Sequence, residues 1–375
     1  MPTRDEYLQA IIAAADDDLT PYAVFADWLY EQGDPQGEFI QLSLQLEDES
    51  LPRERRAELQ TRAEALHQSH QRAWLEALAP TLLDQPEPDP RRPWLHPQNS
   101  CSFDRGLLHS LEIELFESET LRQLQQTEAA RLLRKLTISG MDYDNADIFE
   151  EQPVSLDSLR EFHFSDSESG GCHLPGDSVH QLIVQLPRIE LIRLDAHNVA
   201  TDHLFASPLP HLKSLEANCF HDYDVIALAG NPSLGKLERV AFHPHALEPG
   251  EVGAYLNLDK LRSLCESQHL KSLKHLKWMC TDFGDEGIEL LIHSRLWPQL
   301  ETLDLTYGSM TDAGAELLAT APLGHLKKLR VNGNYLTDAG VRQLSQACPV
   351  LEADHQLTGD PGAPAAEHLW YGDME

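Results

Sequence analysis

The chain has 375 residues, 41% of them hydrophobic and 7% aromatic, enough apolar material for a sizeable core and for more than one domain. Its formal charge of −32 opposes binding to nucleic-acid phosphates and to anionic membrane surfaces, which need concentrated Lys and Arg, and makes a protein with a basic patch the better partner. The start, MPTRDEYLQAIIAAADDD, is acidic where a secretory signal needs a basic and then an apolar stretch, and no later run approaches the roughly 18 apolar residues of a spanning helix, so a cytoplasmic location is expected.

Residues 1–83 read as a small all-helical domain. Thr3 and Glu6 form a capping box ahead of RDEYLQAIIAAA, and Thr20 with Pro21 starts YAVFADWLYEQ, which Gly33 ends. Asp34 and Pro35 start the next helix, QGEFIQLSLQLED. PRERRAELQTRAEALHQSHQRAWLEALAP then predicts one long amphipathic helix. Residues 84–104 are expected to form a Pro-rich connector and N-terminal cap, with Trp94 and Leu95 anchoring the connector.

From residue 105 the sequence repeats itself. Nine segments fit L-x-x-L-x-L when any aliphatic or aromatic residue is allowed: LHSLEI, LRKLTI, LREFHF, IELIRL, LKSLEA, LERVAF, LKHLKW, LETLDL and LKKLRV. Their central residues are Leu111, Leu136, Phe162, Ile192, Leu215, Val240, Leu276, Leu303 and Leu329, and seven of the eight intervals lie between 23 and 30 residues. Alternation along a strand sends the two inner apolar residues to one face and their neighbours to the other. The phrase TDAG after the last two strands supplies Thr311 with Asp312, and Thr337 with Asp338, as oxygens for unpaired helix N–H groups. The 36-residue interval holds GEVGAYLNLDKLRSLCESQ, read as an enlarged helical segment, and the 30-residue interval holds the acidic loop SDSESGGCH. One strand–turn–helix unit cannot bury its own apolar face, so the units must stack, with their strands in one parallel sheet. An α/β solenoid over 105–355 follows. The tail, 356–375, is Gly- and Pro-rich until HLWYG; Trp370 and Tyr371 either cap the solenoid or dock a partner.

These segments resemble leucine-rich repeats, and the T-D-x-G-x-x-x-L phrasing is most similar to the ribonuclease-inhibitor type. That resemblance implies a horseshoe with a parallel concave sheet and outer helices. The family often places Asn after the strand to bond turn backbone; here Asn334 fits, whereas Gly308, Thr281, His245 and His197 stand elsewhere. The stretch FADWLYEQGDPQGEFIQLSLQL, through Ala26, Asp27, Trp28, Leu29, Glu31, Gly33, Asp34 and Pro35, resembles a repeat-companion domain found ahead of leucine-rich repeats in myxobacterial and planctomycete genomes, which implies a bacterial source. No activity follows from that domain.

Chemistry is sparse. Phosphate-binding loops, nucleophile elbows and H-E-x-x-H are missing from the sequence. Asp27 and Glu31 share a helix face with Asp34 and Glu38 nearby, but capping and solvation explain them better than a metal. His243 with His245, and Cys219 with His221, lack a third ligand at suitable spacing. Six cysteines without a CxxC pair read as buried free thiols, and neither His275 nor His293 is singled out as a partner for Cys280. No catalytic residue, cofactor or metal is assigned. The expectation is a non-enzymatic module that binds or sequesters a protein on its concave face, through the exposed strand positions His163, Arg193, Asp195, Glu216, Asn218, His243, Lys277, Asp304, Thr306, Arg330 and Asn332, preceded by Glu112 and Glu114, with Tyr307 and Tyr335 as rim anchors. The alternative is a regulator of a partner enzyme, such as a GTPase-activating protein.

Overall fold

The computed structural model describes residues 2–85, 99–150, 153–165, 174–219, 223–247, 250–363 and 366–371. The expected anchors Trp94 and Leu95 and the acidic loop at 166–173 lie outside the described residues. The chain divides into two compact units, Met1–Phe162 with Gln185–Arg188, and His163–Val184 with Ile189–Glu375.

The first unit opens with helices α1 (Arg4–Ala13), α2 (Thr20–Glu31), α3 (Pro35–Leu46), α4 (Arg53–Trp74) and α5 (Ala79–Leu83). Both backbone–side-chain bonds of the Thr3–Glu6 capping box are present, and Asp34 accepts the Gln36 N–H at 2.9 Å to cap α3. The expected long helix stops at Trp74, before a 3₁₀ turn over Glu76–Leu78 in which Glu76 has a φ of 50°. Ala26 and Leu29 are core residues, packed with Ile11, Phe25 and Ile40. Glu38 holds Arg62 through two bonds of 2.7 Å, and Asp27 accepts from Gln41 at 2.8 Å, so these carboxylates join helices to one another.

Strands β1 (Ser100–Asp104) and β2 (Leu107–Ile113) form an antiparallel hairpin, followed by α6 (Ser118–Gln126), β3 (Lys135–Ile138) and the start of β4 (Glu161–Ser165). Leu107 and Leu132 share the helical core. The hairpin turn presses on α3: Gly106 has a φ of +74°, and a Cβ there would stand 2.8 Å from the Ile40 Cα, so only glycine fits. Ion pairs reinforce the junction, Arg131 reaching Asp5 at 2.7 Å and Arg160 reaching Asp16 at 2.7 Å. The helices and the first repeats therefore form one packed body.

The second unit continues with β5 (Leu174–Pro175), α7 (Val179–Ile183), β6 (Leu191–His197), α8 (Thr201–Ala206), β7 (Ser214–Cys219), α9 (Val225–Gly230), β8 (Arg239–Phe242), α10 (Leu258–Glu266), β9 (His275–Trp278), α11 (Gly284–Ile292), β10 (Thr302–Asp304), α12 (Asp312–Thr320), β11 (Lys328–Arg330), α13 (Asp338–Ala347) and β12 (Leu351–Glu352). From β6 to β12 each strand pairs in parallel with the next, and β5 adds to β6. The register sets Ile192, Leu215, Val240, Leu276, Leu303, Leu329 and Leu351 side by side. All nine central residues from the sequence lie in strands and are at most 1% exposed. Truncating one such Leu to Ala costs about 2–5 kcal/mol by lost transfer energy and the cavity left behind.

The 36-residue interval leaves the ladder unbroken, since Val240 pairs directly with Leu276. Its inserted residues are helical only over α10; residues 250–257 are irregular, where a longer helical segment was expected. Leu256 there makes an isolated bridge to Thr281.

The TDAG phrase does two jobs. Thr311 and Thr337 cap their own helices, accepting from Ala313 and Ala339 at 3.2 and 3.1 Å. Asp312, expected to cap as well, reaches the following repeat instead, as does Asp285 near the start of α11. Asp285 accepts from Thr311 N at 2.8 Å, Thr311 Oγ1 at 2.6 Å and Gly314 N at 2.9 Å. Asp312 accepts from Thr337 N at 2.9 Å and Thr337 Oγ1 at 2.6 Å. A Cβ on Gly314 would stand 2.5 Å from Asp285 Oδ1, and one on Gly340 2.2 Å from Asp312 Oδ1, so each glycine makes room for the previous repeat's carboxylate. Asn334, fully buried, adds one rung: its Oδ1 accepts the Met310 N–H at 3.1 Å and its Nδ2 donates to the Leu305 carbonyl at 2.8 Å.

Asp338 occupies the same motif position, is exposed, and has no described repeat unit of this kind after it. Asp285→Ala should lower the unfolding free energy in urea by about 2 kcal/mol and Asp312→Ala by about 1 kcal/mol, because part-buried donors lose a charged acceptor in the first and exposed ones in the second, while Asp338→Ala stays within about 0.5 kcal/mol of the parent. A loss at Asp338→Ala as large as at the other two would show that the inter-repeat contact is not the source.

Candidate binding face

In the second unit the apolar strand residues face the helices, and the residues between them form a second face. One register row on that face runs Ser214, Arg239, His275, Thr302, Lys328; the next runs Arg193, Glu216, Ala241, Lys277, Asp304, Arg330, Glu352. Parallel pairing holds neighbouring positions about 4.8 Å apart.

The expected contact residues separate into groups. Arg193 is exposed; Glu216, Asn218, Lys277, Thr306, Arg330 and Asn332 are half-buried, as is His163 on β4. Asp195 and Asp304, expected to be exposed, are 1% and 9% exposed. Asp195 accepts from Ser165 Oγ, from Arg193 Nε at 3.0 Å and from Asn218 Nδ2 at 2.5 Å. Asp304 accepts from Thr306 N at 3.1 Å and Thr306 Oγ1 at 2.6 Å, with Arg330 at 3.5 Å. A carboxylate removed from water needs such donors, and these two have found theirs within the sheet. They hold their neighbours in place instead of presenting free charge.

Tyr307 and Tyr335, expected as open anchors, are engaged by the tail. The Tyr307 ring stacks on Tyr371 at 4.6 Å with an interplanar angle of 8°, and the Tyr335 hydroxyl lies 3.2 Å from His368 Nδ1. His243 Nε2 stands 3.4 Å from the Tyr371 carbonyl oxygen, and the Leu247 N–H donates to the Leu369 carbonyl at 3.0 Å. Leu369 packs with Leu247 and Ala254, which places the tail turn Glu367–Trp370 beside the loops that follow β8 and β10. His368 is fully buried, and desolvation lowers its pKa to about 4.

Sequence reasoning missed half of the face. Arg239, His275 and Lys328 precede the central strand residues, and period-two alternation puts them on the same face as Glu216, Lys277 and Arg330; only positions one and three residues after the central ones were read as exposed. Arg239, His275, Lys277, Thr302, Asp304, Lys328 and Arg330 line a depression of about 210 Å³ floored by Leu276 and Leu303. His275 Nδ1 lies 2.9 Å from Thr302 Oγ1, and burial first, then the Arg239 charge, lowers its pKa. Arg330 donates to Glu352 at 2.5 Å and Lys328 also pairs with Glu352, whereas Arg239 and Lys277 make no ion pair among the described residues.

The described cysteines are free. Burial pushes the Cys265 thiol up to about 11 and the Cys280 thiol to about 12, which keeps both protonated and poorly nucleophilic at neutral pH. The side chains of Cys219 and His221 lie outside the described residues, so that pairing stays an expectation. No described helix is long and apolar enough to cross a membrane.

A ladder of short parallel strands joined by turns and helices at a repeat of roughly 26 residues is the leucine-rich-repeat fold. The family model described as "Leucine Rich repeat" matches residues 298–319. A ribonuclease inhibitor of Sus scrofa is 31% identical over 179 residues, covering 44% of this chain and 38% of the inhibitor. Among solved structures, a protein of Bacteroides fragilis aligns with a TM-score of 0.41 at 20% identity, over 68% of this chain and 64% of that one. An internalin of Listeria monocytogenes aligns with a TM-score of 0.32 at 14% identity, over 64% of this chain and 70% of its own. The chain thus spans less than two thirds of the length of the inhibitor and of the Bacteroides protein.

Histidine in an unfolded chain titrates near 6.5 and folded His368 at about 4, so between those values the unfolded state binds more protons. The tail contact is at full strength above pH 6.5 and weakens as pH falls toward 4. His368→Leu removes the titration: on acidification from pH 7 to 4.5 the urea midpoint followed by tryptophan fluorescence should fall further in the parent than in the variant. Parallel pH profiles would show that His368 is not buried in its neutral form.

Proposed function

We propose that the chain is a protein-binding module without catalysis of its own, acting in the cytoplasm, and that it grips its partner on the open strand face. The observation that carries this reading is the division of labour across the sheet. Alternate strand residues lie in the core, while the residues between them, most of them polar and half-exposed, are fixed in register by the ladder. A fixed array loses little conformational freedom on binding, which favours affinity. His163, Arg193, Glu216, Asn218, Lys277, Thr306, Arg330 and Asn332 are the proposed contacts; Asp195 and Asp304 orient them, and Tyr307, Tyr335 and His243 contribute where the tail leaves them open.

Sequestration or inhibition of the partner is the sharper version, supported by the similarity to a ribonuclease inhibitor. We read the amino-terminal helices as a repeat-companion domain whose signature residues serve packing and capping. The charge of −32 favours encounter with a partner that is basic overall.

Capture of the partner from its native cytoplasm tests the face. A variant carrying Glu216→Lys, Asn218→Arg and Asn332→Arg should lose most of the captured protein, about tenfold or more, because like charges and bulk now oppose the fit. A control with Glu289→Lys, Glu316→Lys and Arg342→Glu on exposed helix positions should retain it. Loss in the helix variant with retention in the strand variant would place the interface on the other side.

A further inference from the structure

We propose that the depression across β8–β11 takes an acidic segment of the partner, an extended stretch carrying carboxylate side chains; this rests on the strand-face reading above and names the chemistry of the contact.

The depression is lined by four permanent cations, Arg239, Lys277, Lys328 and Arg330, against one carboxylate, Asp304. In a chain with 29 Lys and Arg against 61 Asp and Glu, such a grouping runs opposite to the composition. Asp304 is already occupied by Thr306 N and Oγ1. Arg239 and Lys277 have no ion pair among the described residues, and Lys328 and Arg330 share Glu352, half-exposed pairs that exchange readily for a better-placed carboxylate.

Spacing favours a peptide over a single small anion. Arg239 and Lys328 lie in one register row three strand spacings apart, about 14 Å, and Lys277 and Arg330 lie two spacings apart in the next row, about 10 Å. An extended chain advances about 3.4 Å per residue, so carboxylates at positions i and i+4 of one segment reach the outer pair. Ala241, the smallest residue in its row, leaves room for the segment beside Lys277. The chain's total negative charge acts against this partner only at long range: at about 0.15 M salt charges more than about 8 Å away are largely screened, and the four cations dominate inside the groove.

The test uses the full chain and three fluorescein-labelled probes at about 0.15 M salt: a glutamate decapeptide, a lysine decapeptide and a ten-nucleotide single-stranded DNA. The glutamate peptide should give a saturable anisotropy rise, weakened at least about fivefold by Arg239→Ala with Lys277→Ala. The charge-conserving pair Arg239→Lys with Lys277→Arg should bind as the parent does, which separates charge from misfolding. Absence of glutamate-peptide binding, binding unchanged by the alanine pair, or DNA bound more tightly than peptide and lost in that pair would each overturn the proposal. In partner capture, loss with Glu216→Lys, Asn218→Arg and Asn332→Arg but none with the alanine pair would defeat the acidic-segment proposal while leaving the binding face standing.

Discussion

A strand of three or four residues cannot hold its own place, and the whole second unit depends on how each repeat is locked to the next. Two contacts do this from opposite sides of the layer. On the core side the central residues, Ile192 through Leu351, stand shoulder to shoulder in one register. On the turn side a carboxylate of one repeat clasps the Thr and Gly of the following one, Asp285 on Thr311 and Gly314, Asp312 on Thr337. The first contact supplies burial and is not directional; the second is directional and fixes the stacking step. Together they set the rows of the open face, so the geometry available to a partner is a by-product of how the layers lock.

The repeats were legible because the core constraint recurs at every layer. Nine central residues named from spacing alone all lie in strands, and a stretched interval did not displace Val240 from Leu276. What spacing could not show was direction. Asp285 and Asp312 sit where an N-terminal helix carboxylate would, yet they reach forward into another layer, a contact that sequence separation of about 26 residues conceals. For the same reason Asp195 and Asp304 read as exposed: alternation fixes which face a side chain leaves from, not whether its neighbours then enclose it. The tail contacts, with Tyr371 on Tyr307 and His368 beside Tyr335, join residues 33 to 64 positions apart and leave no periodic trace.

The face that emerges differs from the one the charge total implied. Its two most enclosed acids are satisfied internally, Asp195 by Ser165, Arg193 and Asn218 and Asp304 by Thr306, and what remains presented over β8–β11 is cationic. A strongly acidic chain with a locally basic groove separates two tasks: the distant field selects which proteins approach, and the groove selects which segment is held. The tail borders this region and covers both tyrosines that would otherwise widen it. Its placement limits the open face to the strand rows themselves.

Hydroxyl-radical footprinting of the full chain, alone and with its captured partner, reads the contact surface residue by residue. Protection should fall on the strand rows, strongest at Lys277, Arg330 and Asn332, with the exposed helix positions Glu289, Glu316 and Arg342 unchanged. Protection confined to those helix positions, with the strand rows as reactive as in the free protein, would contradict a binding role for the open sheet.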